Sequence, residues 1–185
     1  SGNNRRLFDP DRYRIILFDQ RGCGRSRPHA STEPGLRANA IVHLLSDMET
    51  LRRMLRIERW LLLGGSWGAT LALAYAQAHP ERVSAMVLRG VFTARRSELR
   101  WLYQEGASVL FPDAWERFVA PIPQDERGDL VAAYHSRLAA AGGDPAPAVD
   151  AARAWCAWEN EIMTLLPDNG ADMSSDPRPD DMSML

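Results

Sequence analysis

Lysine is absent from this chain: all 22 basic residues are arginine. That removes Schiff-base chemistry on a lysine amine and the lysine with which phosphate-binding loops meet a nucleotide. Cysteine is nearly absent as well. Cys23 and Cys156 stand far apart, in no spacing that suits a metal or a redox motif, and read as reduced thiols of a reducing compartment. The four histidines, His29, His43, His79 and His135, show no metal-ligand spacing, so neither a metal nor another cofactor is expected. No apolar run approaches the roughly 18 residues of a membrane span. The residues after Arg5 and Arg6 lack a signal-peptide core. A basic excess is missing too: the net charge is −2 and the arginines are scattered, which leaves no nucleic-acid footprint. These absences describe a cytoplasmic protein without membrane or nucleic-acid partners, whose 185 residues suffice to bury a real core. Its oligomeric state stays open.

What is present centres on one stretch. Leu61, Leu62 and Leu63 run into Gly64-Gly65-Ser66-Trp67-Gly68, and the alanine-rich segment Ala69 to Ala76 follows at once. The apolar run reads as a buried parallel strand and the alanine-rich segment as a helix. Ser66 therefore sits on a strand-to-helix turn. Such a turn strains the serine backbone and crowds the residues two before and two after it, so Gly64 and Gly68 are both expected to be there for lack of bulk. The hydroxyl of Ser66 would stand above the sheet end, and the Trp67 backbone N–H would face a developing oxyanion. This is the arrangement of a nucleophile elbow in an α/β-hydrolase. Read without its context, the same pattern is also met where glycines merely make a tight strand-to-helix connection.

The rest of the chain fits around that turn. Tyr13 to Asp19 reads as a strand of a sheet covered on both faces, followed by the loop Gln20 to Pro28, whose glycines lack the third glycine and following helix of a dinucleotide site. A helix is predicted from about Leu36 to Arg56, with Ile41, Leu44, Leu45, Met48, Leu51 and Leu55 on one face and a Glu49–Arg53 pair on the wet side. His43 and Asp47 lie one turn apart on it, but on the sheet's flank rather than at the strand ends. After the elbow helix, His79-Pro80 is a stop signal, and Val83 to Phe92 gives a third strand. The fold class is α/β: a partial α/β-hydrolase parallel sheet over residues 1–96.

From about Ser97 the pattern turns helical. Segments around Leu99 to Tyr103, Pro112 to Phe118, Asp125 to Ala140 and Ala146 to Leu166 read as helices, with a loop from Ala139 to Pro147. Residues 97–167 are thus expected to form a helical cap inserted over the site, and 168–185 a disordered tail. Trp155, Trp158, Glu159 and Ile162 share one helical face. A carboxylate in such a stripe needs a cation: either an arginine of the cap in a structural ion pair, or a substrate ammonium.

The loop Asp19-Gln20-Arg21-Gly22-Cys23-Gly24-Arg25-Ser26-Arg27-Pro28, the elbow Gly64 to Gly68 and the segment Trp155 through Glu159 together resemble the proline iminopeptidases, from about Arg5 to Pro167. These are serine peptidases of the α/β-hydrolase fold. The resemblance implies release of N-terminal proline from small peptides, with Ser66 as nucleophile, Trp67 as backbone oxyanion donor and Glu159 as the residue that binds the substrate's amino group. It also implies parts not seen here: a His-Gly-Gly-Pro-Gly segment ahead of the first strand, which brings the second oxyanion donor, and a catalytic aspartate and histidine beyond the cap. The chain resembles an internal portion of such an enzyme, and without those parts weak or no turnover is expected. Two other readings stand beside it: an esterase or lactonase on the same scaffold, and a catalytically silent piece that binds peptides or pairs with another chain.

Overall fold

The computed structural model describes residues 2–30, 39–139 and 146–163. The apolar run forms strand β1, Trp60–Gly65, and the segment after the elbow helix forms β2, Val83–Arg89. They pair in parallel, with Leu61 against Ala85 and Gly65 against Arg89. A parallel pair requires a crossover, here helix α2, Trp67–Ala78. Ahead of β1 lies α1, Ile41–Met54. Leu44 and Met48 of α1, Leu62 of β1 and Leu71, Ala72 and Tyr75 of α2 bury their side chains together beside the sheet.

Three sequence expectations change here. The segment Tyr13 to Asp19 joins no ladder among the described residues, so the sheet described has two strands rather than three. An apolar run favours an extended backbone, whereas a strand also needs a neighbour for its N–H and C=O groups, which the run does not specify. Nor is it covered on both faces: Leu17 is 48% and Phe18 38% exposed. A side chain ties it to the segment after α1, the Arg14 guanidinium donating to the Leu55 carbonyl at 3.1 Å. β2 also ends earlier than Phe92, because Gly90 turns the backbone into the left-handed region at φ 54°.

The third change is Glu49. Its carboxylate is not paired with Arg53 on the wet side but faces inward, where Arg52 donates to it at 2.7 and 2.9 Å and the Tyr75 hydroxyl also donates. Arg52 is 6% exposed and passes its remaining donors to the Ile57 and Glu58 carbonyls. Arg53 donates instead to the Glu49 backbone carbonyl, at 3.2 Å. The Arg52 bond holds the Glu49 carboxyl down at about 2, and burial with the Glu49 contact pushes the Tyr75 hydroxyl up to about 12. A carboxyl depressed on folding stabilises the fold above its unfolded pKa, and that stability is lost as pH falls toward the folded one. Urea midpoints are therefore expected to drop between pH 4.5 and 2 by the equivalent of about 3 kcal/mol. Glu49→Gln should flatten that acid limb while lowering stability at pH 7, since it leaves the Arg52 charge buried without its counter-ion.

After residue 96 the described structure is helical: α3 Arg96–Tyr103, α4 Ala107–Leu110, α5 Pro112–Val119, α6 Leu130–Leu138 and α7 Ala146–Glu161. Pro112 opens α5, where its missing N–H costs nothing. α6 begins later than Asp125, which falls in a short 3₁₀ turn; Asp129 is the cap instead, its carboxylate accepting the Ala132 N–H at 3.0 Å. These helices close over an aromatic centre of their own. Phe118 stacks on Tyr134 at 4.7 Å and on Trp158 at 5.2 Å, and Trp158 donates its indole N–H to the Leu102 carbonyl at 3.1 Å. Two helix bounds also shift: the first helix starts at Ile41 rather than near Leu36, with Ala40 extended before it, and the last ends at Glu161 rather than Leu166, with Ile162 and Met163 in a turn. Most of the loop from Ala139 to Pro147 and the tail 168–185 lie outside the described residues.

Candidate active site

β1 ends at Gly65 and α2 begins at Trp67, so a single residue, Ser66, makes the turn. It does so at φ 52° and ψ −121°, a left-handed conformation that a residue with a Cβ rarely adopts. Neighbouring backbone holds it there. The Ser66 N–H donates to the Arg89 carbonyl at the end of β2 (3.0 Å), and the Ser66 carbonyl accepts the Ala69 N–H (2.8 Å). Thr70, one turn into α2, donates its hydroxyl to the Phe92 carbonyl at 2.6 Å and ties the helix to the chain beyond β2. The Ser66 residue is exposed, at the C-terminal end of the parallel pair, where open α/β sheets present their ligand sites.

The two glycines of the motif divide their work unequally. A Cβ on Gly64 would lie 2.2 Å from the Gly68 carbonyl oxygen, so the strand and the helix pass too closely for any side chain there. A Cβ on Gly68 would meet nothing within 4 Å. The expectation that both must lack bulk is therefore right only for Gly64; Gly68 contributes the approaching backbone, not a missing side chain. Trp67, as the first residue of α2, has its N–H among the amides that a helix leaves without an internal acceptor. Its indole N–H donates to Gln20 Oε1 at 3.1 Å.

Among the described residues, no imidazole hydrogen-bonds Ser66. His79 follows the far end of α2, about 18 Å along the helix axis from the elbow, with its ring against Tyr75. His135 is exposed on α6. The His43–Asp47 pair is not a dyad either, because Arg21 takes Asp47 through two bonds of 2.6 Å. A cavity of about 420 Å³ lies beneath the Gln20 to Pro28 loop, lined by Asp19, Gln20, Arg21, Leu44, Asp47 and Leu71 among others, and neither Ser66 nor Glu159 lines it.

Glu159 sits half-buried on α7. Its Oε1 accepts two bonds, from the Tyr103 hydroxyl at 2.6 Å and from the Trp155 indole at 3.0 Å. Tyr103 stacks on Trp155 with ring centroids 4.4 Å apart, so the two donors fix one another. Burial, and then the bond to Glu159, push the Tyr103 hydroxyl well above its usual range, which keeps it a donor. Among the described residues no arginine pairs with Glu159; Arg117 instead meets Glu161, at 2.7 Å. Of the two partners expected for this carboxylate, the structural ion pair is thus absent from the described residues. The role of Tyr103 was not visible in the sequence, since it stands 56 residues before Glu159 on another helix.

Comparison with known proteins decides the family. The sequence profile of the alpha/beta hydrolase fold matches residues 3–150. The chain belongs to the α/β-hydrolase fold family. Within it, the chain is 56% identical over 164 residues to the proline iminopeptidase of Xylella fastidiosa, an overlap of 89% of this chain and 50% of that relative. It is 51% identical over 166 residues to that of Arabidopsis thaliana (89% and 42%), and 47% identical over 165 to that of Neisseria gonorrhoeae (89% and 51%). The chain spans about half the length of the curated relatives it matches. β1, Ser66 and α2 follow one another as strand, turn and helix, the order that a nucleophile elbow requires.

Among the described residues there is no group of three or more His, Cys, Asp or Glu side chains arranged to hold a metal. No described helix is long and apolar enough to cross a membrane.

Proposed function

We propose that this α/β-hydrolase is a serine aminopeptidase that releases N-terminal proline from small peptides. The observation that carries the reading is the joint geometry at Glu159: Tyr103 and Trp155 occupy Oε1, leaving Oε2 for a cation that the described residues do not supply. The names of the relatives at 47 to 56% identity support the same substrate class. Ser66 is the nucleophile and the Trp67 N–H an oxyanion donor. Residues 97–167 act as the cap that brings Glu159 to the substrate's amino group, over a hydrolase core spanning residues 1–96. The reaction takes place in the cytoplasm.

In the reaction, Ser66 Oγ bonds to the proline carbonyl carbon as the C–N bond to the next residue breaks, and the hydroxyl proton leaves with the departing amine. Water then attacks the acyl ester, which restores the hydroxyl and frees proline. The test compares a proline aminomethylcoumarin amide with its N-acetyl analogue. Release from the free amine is expected to exceed release from the blocked one by about a hundredfold, and Glu159→Gln should remove most of that preference, since it takes away a charge-assisted bond. Equal and measurable rates on the two substrates would overturn the aminopeptidase reading in favour of an esterase or lactonase.

A further inference from the structure

We propose that Gln20 is a positioning residue for the oxyanion donor, fixing through the Trp67 indole the direction in which the Trp67 backbone N–H points. The inference rests on the reading of Ser66 as the nucleophile and adds a residue to its machinery. Trp67 follows Ser66 directly, so anchoring its side chain restrains its Cα and, with it, the planar peptide unit that carries the N–H. Trp67 packs against the core cluster beside the sheet, and its indole N–H is held by Gln20 at 3.1 Å. Indole nitrogen only donates, so the carboxamide oxygen is the group that faces it.

Gln20 itself is held on both sides. On one side the Asp19 carbonyl accepts the Ser26 hydroxyl at 2.7 Å, and its carboxylate accepts the Arg25 N–H at 3.1 Å, which folds the loop back on itself. On the other, Arg21 is locked to Asp47 of α1 through the two-point pair. The Gln20 carbonyl also accepts the Cys23 N–H at 3.0 Å. The start of the loop is thus tied to α1 through Arg21 and to the elbow through Gln20. The bracing leads to Gln20, whose side chain meets the indole of the residue after the nucleophile.

The test measures the rate at which a fluorophosphonate modifies Ser66, followed by mass spectrometry. In that step Ser66 Oγ bonds to phosphorus as the P–F bond breaks, releasing fluoride and a proton, and the phosphoryl oxygen takes the place of the oxyanion. Gln20→Met keeps the volume and removes the acceptor; Trp67→Phe keeps the backbone N–H and removes the indole donor. Each is expected to slow modification roughly tenfold, and the double substitution to slow it no further than either alone, because both break the same contact. Urea midpoints measured alongside separate this from a purely structural role, in which stability would fall while the rate on folded protein stayed unchanged. Wild-type rates in the single variants, or slowings that multiply in the double, would overturn the proposal and leave the nucleophile reading intact. A Ser66 modification rate in the folded, unsubstituted protein no higher than in the urea-unfolded chain would overturn the nucleophile reading, and the positioning role with it.

Discussion

Gly64→Ala is expected to destroy the elbow. The added methyl would stand 2.2 Å from the Gly68 carbonyl oxygen, 2.5 Å from its carbon and 2.8 Å from the Ala69 nitrogen. All three are backbone, so no rotamer change relieves the overlap, and α2 would have to lift away from β1. That movement would unpack Leu71, Ala72 and Tyr75 from Leu62. A loss of at least about 4 kcal/mol is expected, in the range that marks a named steric mechanism. Loss of Ser66 modification by a fluorophosphonate should accompany it. The contrast that makes the prediction sharp is Gly68→Ala. Its Cβ would enter open space inside a helix, and exchanging glycine for alanine there should leave stability unchanged or raise it by up to about 1 kcal/mol. Guanidinium denaturation of the two variants checks both halves. Equal destabilisation would mean that the crowding at this turn is shared.

Trp158→Ala should be nearly as costly. The side chain is 1% exposed, stacks on Phe118 at 5.2 Å, meets Trp115 edge-on at 5.3 Å and satisfies the Leu102 carbonyl with its indole N–H. Truncation would remove the largest fully buried side chain of the chain's described part, leave a cavity among rings too rigid to collapse into it, and strand a carbonyl acceptor. About 3–5 kcal/mol is expected for such a substitution. Loss of the near-ultraviolet circular dichroism of the stacked rings and a lowered denaturation midpoint would report it. Val109→Ala, at a residue 80% exposed on neighbouring α4, should stay within about 0.5 kcal/mol.

The parts of this architecture that the sequence announces are those fixed by local rules. Leu61 to Leu63, the glycine-framed serine and the alanine run spell strand, turn and helix in a stretch short enough that no distant partner is needed. Pro80 and Pro112 mark a helix end and a helix start for the same reason. What escapes is whatever depends on which surface arrives from elsewhere. Tyr13 to Asp19 has the composition of a strand, but composition names no neighbour for its backbone. Glu49 could turn to a partner three or four residues along its helix, and the choice of Arg52 over Arg53 follows from Tyr75 approaching on that side. Glu159 announces itself as a carboxylate among tryptophans, while its contact with Tyr103 bridges two helices that no spacing links.

In the role proposed for Glu159, that contact would also sort cations by their outline. A guanidinium grips a carboxylate with two parallel prongs and needs both oxygens at once, whereas an ammonium is a point of charge content with one. With Oε1 of Glu159 already taken by a phenol and an indole, a pronged ligand finds half its footing gone and a compact one loses nothing. An arginine side chain and an amine terminus, equal in charge, are therefore unequal guests.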